Sequence, residues 1–222
     1  VAEDADLAAA VETLVDGAFF NSGQSCCGIE RVYVHQSLYR KFVEGAKAAI
    51  EAYVLGDPMD KNTTLGPMAQ PSAVDFLQGQ VDEAKRKGAT LVTGGRKDLG
   101  DTGKAQFFLP TLLSDCTHDM SAMKDESFGP LLAVAPVASD EEALQKMNDS
   151  DYGLTACVFT QDKERALRMG KGLQCGTVFM NRCDYLDPLL PWTGVKNTGK
   201  GVSLSRHGFD GVTKLKGYNF RF

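Results

Sequence analysis

Residues 18–28 read AFFNSGQSCCG: two adjacent thiols, Cys26 and Cys27, sit where an apolar stretch gives way to glycine and small polar residues. A cysteine pair taken alone is most simply two small buried hydrophobes, because free cysteine is among the most buried side chains. This setting suits thiol chemistry instead. A helix end followed by a glycine-containing turn can hold a side chain at the mouth of a cleft. It can also leave a backbone N–H free to face a developing oxyanion. A thiol nucleophile would suit that position.

The remaining cysteines, Cys116, Cys157, Cys175 and Cys183, form no CxxC pair and no regular framework, which argues against a zinc site or a disulfide scaffold. No metal site is expected. Such usage fits a reducing compartment, cytoplasmic or an organellar matrix. The net charge of −5 gives no reason to expect nucleic acid or an anionic membrane surface, both of which need clustered positive charge. No apolar run approaches the ~18 residues that cross a bilayer. With 222 residues, 43% of them hydrophobic, the chain can bury a substantial core and take a small molecule as its substrate.

The elements that must position the thiols follow from periodicity. Asp6 is a good N-cap for a helix whose Leu7, Val11, Leu14, Val15 and Ala18 share one face and which ends near Asn21. RVYVH (31–35) reads as a strand, and Ser37 as the cap of a second helix burying Leu38, Phe42, Ala46, Ala49 and Tyr53. A third helix spans about 72–87, with Gly88 as its stop and ATLVTGG as a short strand after it. LLAVAPV (131–137), a helix over 139–150, TACVFTQ (155–161), a helix over 163–171 and GTVFMN (176–181) continue the alternation. Near-continuously apolar strands between helices predict an α/β fold, a mostly parallel open sheet with helices on both faces. In KLKGYNFRF (214–222), Tyr218, Phe220 and Phe222 share a face at period two, predicting a C-terminal edge strand.

FFNSGQSCCGIERVYV resembles the nucleophile segment of the aldehyde dehydrogenase superfamily, a Phe-Phe-Asn-x-Gly-Gln-x-Cys run with an Arg five residues on, here Arg31. LGDPMDKNTTLGPM, KDESFGPLLAVAPV and PWTGVKNTGKG resemble three further family segments in the same order. The resemblance implies a thiol nucleophile at Cys26, with its own N–H helping to hold the oxyanion, and Cys27, Phe20 and Trp192 around the substrate. It implies that Glu126 binds the nicotinamide ribose hydroxyls and that Phe128 packs near the ring of NAD or NADP. Gly194, Lys196 and Gly199 read as structural, the lysine charge being solvated.

Residues 1–206 are then expected to form a catalytic domain and 207–222 an oligomerisation strand that makes a homo-oligomer. The family's Gly-rich cofactor fold, oxyanion Asn and general-base Glu all lie upstream of its nucleophile segment and are not in these 222 residues. The expectation is therefore a catalytic portion of an NAD(P)-dependent aldehyde dehydrogenase, with cofactor binding weak or lost and the isolated chain inactive. GVSLSRHG also departs from the family's pattern, with Ser203 in an acidic position. Two other readings stand beside this one. The first is a non-catalytic pseudoenzyme or interaction module. The second is a cysteine hydrolase in which His35, His118 or His207 activates Cys26.

Overall fold

The computed structural model describes residues 1–98 and 106–222. Helix α1, Leu7–Phe19, begins as the sequence indicates, with the Asp6 carboxylate accepting the N–H of Ala9 (3.2 Å). Strand β1 is Arg31–His35, and α2 is Tyr39–Glu51. The cap predicted for α2 is not made. Leu38 occupies the N-cap without a side-chain bond, while the Ser37 hydroxyl pairs with His35 Nδ1 (2.7 Å). The nearby imidazole outcompetes the helix end for that hydroxyl.

Helix α3 is Pro71–Arg86, with proline in its first turn, where its missing N–H costs nothing. Strands β2 (Thr90–Thr93), β3 (Lys97–Asp98), β4 (Phe107–Phe108) and β5 (Thr111–Ser114) follow, then the short helix α4 (Ser121–Lys124) and strand β6 (Leu131–Val137). The C-terminal third contains α5 (Asp140–Asn148), β7 (Tyr152–Gly153), β8 (Thr155–Val158), α6 (Lys163–Gly172), β9 (Thr177–Met180) and β10 (Val195–Lys196). Ser139 and Asp162 cap α5 and α6 through their side chains.

The main sheet has the order β1-β6-β5-β2. β1 and β5 run parallel to β6, and β2 closes the far edge antiparallel to β5. β8 and β9 form a separate parallel pair. Between β1 and that pair lies the start of the chain. The Val1 amine donates to the Tyr33 carbonyl (2.8 Å), the His35 N–H to the Val1 carbonyl (2.9 Å), and the Ala2 N–H to the Phe159 carbonyl (2.9 Å). Arg165 ties the same segment down, reaching Glu3, Asp4 and Asp140 at 2.6–3.1 Å.

Both faces of the sheet are covered. Leu131, Ala133, Ala135 and Val137 of β6 pack with α3, α4 and α5 residues such as Leu77, Val81, Met123 and Ala143. Leu132 and Val134, one step out of phase, pack with α1 and α2 residues such as Leu14, Phe42 and Ile50. This double burial explains why β6 reads as an unbroken apolar run.

The tail differs from expectation. Residues 214–222 are exposed and form no strand, although Tyr218 and Phe220 stack at 5.9 Å between ring centroids and Phe222 follows at 6.4 Å. A strand needs a free edge to pair with, and these residues meet none among the described residues.

Phe42 is fully buried between α1, α2 and the sheet. Phe42→Ala is expected to cost about 3–5 kcal/mol by urea denaturation, from lost burial and the cavity left behind. A loss below about 1 kcal/mol would mean that this face of the sheet is not a packed layer.

Candidate active site

After α1 the chain makes a tight turn that reverses its backbone hand. Asn21, Ser22 and Gly23 have φ of 51°, 57° and 71°, a left-handed run that is uncommon outside glycine. Gly23 is required there. A Cβ at this position would lie 2.2 Å from the Gly129 carbonyl oxygen and 3.0 Å from that of Ala18. Side chains fix the same turn from below: the Ser22 hydroxyl donates to the Gly66 carbonyl (2.8 Å), and Gln24 Oε1 accepts the Ala69 N–H (2.7 Å). Asn21 Nδ2 donates to the Gln24 carbonyl (3.0 Å). The conspicuous asparagine and glutamine of the motif thus serve as turn-builders.

The turn separates the two thiols. Cys26 is exposed, while Cys27 is 6% exposed and donates its S–H to Asp184 Oδ1 at 2.6 Å. Burial and that carboxylate push the Cys27 thiol up to about 12. Burial likewise raises Cys116 and Cys183 to about 12 and Cys157 to about 11, and raises Cys175. The Cys26 N–H has no acceptor among the described residues, whereas the Gly28 N–H closes the turn onto Ser25 (3.1 Å). An accessible thiol beside an unengaged backbone donor is the arrangement an acyl-transfer site requires.

Cys26 opens onto a cavity of about 400 Å³ that runs between β1 and β8 and is shared with Glu30, Arg31, Glu126, Tyr33 and Cys157. Glu126 is exposed at its edge, and Phe128, φ 47°, is 41% exposed on the same loop. The cavity unites Cys26 with Glu126, while Cys27, Phe20, Phe128 and Trp192 do not line it. Phe20 stands 61% exposed at the start of the turn. Trp192 lies in a separate loop, paired through its backbone with Ser203 (2.7 and 2.9 Å). That pairing gives Ser203 a main-chain role that its side chain does not determine.

Lys196 is exposed. Its amine donates to the Asn148 and Ser150 carbonyls (2.7 and 2.8 Å), closing the end of α5, so it is a tie between segments as well as a surface charge. All three histidines are engaged elsewhere: His35 with Ser37, His118 with the Tyr33 hydroxyl (2.6 Å), His207 with Asp210. Sequence reasoning missed Glu30, which lies between the thiol turn and β1. The available signal was its parity, since Glu30 falls on the same face as the buried Val32 and Val34.

Known proteins share this architecture. The model of the aldehyde dehydrogenase family covers residues 1–217. The chain belongs to the aldehyde dehydrogenase family. It is 37% identical over its whole length to a putative aldehyde dehydrogenase-like protein of Schizosaccharomyces pombe, covering 45% of that protein. It is 38% identical to an Escherichia coli succinate semialdehyde dehydrogenase [NAD(P)+], matching 94% of this chain and 44% of the relative. Among solved structures, a Bacillus cereus aldehyde dehydrogenase mutant superposes with a TM-score of 0.92 at 33% identity, over 97% of this chain and 43% of that one. A Staphylococcus aureus betaine aldehyde dehydrogenase in complex with NAD⁺ gives 0.90 at 32% identity, over 95% and 42%. The chain thus spans less than half the length of these relatives.

Iodoacetamide at pH 8 should alkylate Cys26 before any other cysteine, by ~10²-fold or more, because the five others are buried or partly buried and burial raises each of their thiols above the ordinary value. Peptide mapping that finds Cys157 or Cys175 labelled first would contradict this ranking of accessibility.

Proposed function

We propose that this chain is the thiol-bearing catalytic portion of an NAD(P)-dependent aldehyde dehydrogenase, which oxidises a small aldehyde to a carboxylic acid. The observation that carries the reading is the exposed Cys26 with an unengaged N–H, on a cavity that also reaches Glu126. The Cys26 thiol gives up its proton and adds through sulfur to the aldehyde carbon. The Cys26 N–H donates to the resulting oxyanion. A nicotinamide dinucleotide, when bound, supplies the acceptor for the two electrons and hydrogen lost from that carbon. Cys26 then holds the acyl group as a thioester. Water cleaves the thioester to the acid and restores the thiol.

The residues present fit the dinucleotide. Glu126 has an exposed carboxylate at the cavity edge, able to accept from ribose hydroxyls, and Phe128 offers an exposed ring two residues on. The Ser127 hydroxyl between them is buried without a partner. Cys27, Phe20 and Trp192 would flank the substrate. The Cys27 thiol, buried and held by Asp184, leaves the chemistry to Cys26. The 207–222 segment would join a neighbouring subunit through its exposed Tyr218, Phe220 and Phe222 face. The family's general-base Glu is not in these 222 residues, so the 222-residue chain alone should turn over far below an ordinary ~10 s⁻¹. The hydrolase reading is disfavoured by the engagement of all three histidines away from Cys26.

The first half of this chemistry can be tested on the chain as it stands. An activated ester such as p-nitrophenyl acetate should acetylate Cys26 in a burst of p-nitrophenol, seen as an acetyl adduct on the Cys26 peptide, and Cys26→Ala should abolish the burst. A burst that survives Cys26→Ala would remove Cys26 from the role of nucleophile.

A further inference from the structure

Two consecutive residues just past the thiol turn grip one loop at both ends. Arg31 Nη1 donates to the Met123 carbonyl in α4 (2.7 Å), and Glu30 Oε1 accepts the N–H of Phe128 (2.9 Å). Glu30 is itself held by the sheet, its carbonyl accepting the N–H of Ala133 in β6 (3.0 Å). We propose that Glu30 is a positioning residue whose carboxylate fixes residues 126–128 against the Cys26 turn, holding Phe128 in its left-handed conformation. What this means for a dinucleotide rests on the proposed roles of Glu126 and Phe128. The clamp itself is a property of this chain alone.

Three features support the assignment. Phe128 has a φ of 47°, a conformation that costs free energy and persists only where the surroundings impose it. Its N–H would be free without Glu30. The clamp also spans the two segments that line the Cys26 cavity, so a change at Glu30 alters how the thiol and Glu126 face each other.

The carboxyl is also poised to change charge. Burial pushes Glu30 up to about 7, with the Glu126 carboxylate adding to the rise and the Phe128 and Ser127 amides and the Arg31 guanidinium opposing it. Lys124, Asp125 and Cys26 line the same cavity. Between the ordinary value of 4.5 and about 7, the folded chain holds a proton that the unfolded chain has lost. Stability from this group therefore falls as pH rises through that window and stays lower above it. A group that strains the fold in its ionised form while organising a loop at a cavity mouth follows the pattern of working sites, where stability is given up for geometry.

The test follows the Phe128 amide by hydrogen exchange from pH 5.5 to 8.5, corrected for intrinsic rates, in the 222-residue protein and its Glu30→Gln and Glu30→Ala variants. In the unmodified protein, protection of Phe128 should rise with a midpoint near pH 7, as the carboxylate becomes the stronger acceptor. Glu30→Gln should keep a weaker, pH-independent protection and raise the melting temperature at pH 8 by several degrees, with little change at pH 5. Glu30→Ala should lose protection by ~10-fold or more at Phe128 while Ala133 stays protected. Protection of Phe128 that survives in Glu30→Ala, or a midpoint that survives in Glu30→Gln, would overturn the proposal. Should the alanine variant fail to fold, the glutamine variant decides. None of these readouts uses an aldehyde or a dinucleotide, so failure of the clamp and failure of the dehydrogenase reading are separable.

Discussion

Gly23 and Gly129 meet backbone to backbone, and the candidate site depends on that contact. A side chain at residue 23 would collide with the Gly129 carbonyl, so only glycine lets the thiol turn settle on the segment that leads into β6. Because Gly129 is followed by Pro130, whose carbonyl accepts the Thr111 N–H (2.9 Å), and by Leu131 at the start of β6, the turn is anchored to the sheet's central strands. Cys26 at one end of this assembly and Glu126 at the other are thereby set by the same few main-chain atoms.

The turn itself is costly. Two successive non-glycine residues, Asn21 and Ser22, stand in the left-handed region, each at a cost of order 1–3 kcal/mol. Such a conformation survives because the surroundings over-determine it, through the Ser22–Gly66 and Gln24–Ala69 bonds and the N–H of Ile29, which donates to the Gly17 carbonyl at the end of α1 (2.9 Å). The strain has a structural consequence. It turns one of two neighbouring thiols outward and the other inward, onto Asp184, so adjacent residues of identical chemistry acquire different accessibility.

Much of this was legible in the residues. The alternation of helices with apolar runs predicts the two-faced sheet because each strand of that sheet either carries both faces into a core or stands beside one that does. The motif around Cys26 is legible because local turn chemistry, Asn-x-Gly-Gln, is encoded within a few residues. Other features are not local. Thr111–Ser114 is a central, buried strand only four residues long, too short for periodicity to separate it from a loop. The antiparallel pairing of β2 depends on which edge is open, which the β2 residues do not record. Cys27 finds Asp184 157 residues away, and Ser37 prefers His35 to its helix, through contacts that no spacing rule reaches. Residues 214–222 have the alternating pattern of a strand but meet no strand partner among the described residues, so pattern alone could not decide their state.

The thiol turn and the sheet core form one mechanical unit, and native-state hydrogen exchange with increasing denaturant measures that coupling residue by residue. The amides of Gln24 and Gly28, which bond to the Asn21 and Ser25 carbonyls, should open with the same free energy and denaturant dependence as those of Leu131 and Thr111. If Gln24 and Gly28 instead exchange through small, denaturant-insensitive fluctuations while Leu131 and Thr111 stay protected, the turn is a mobile loop laid on the sheet, and the sheet core does not position Cys26.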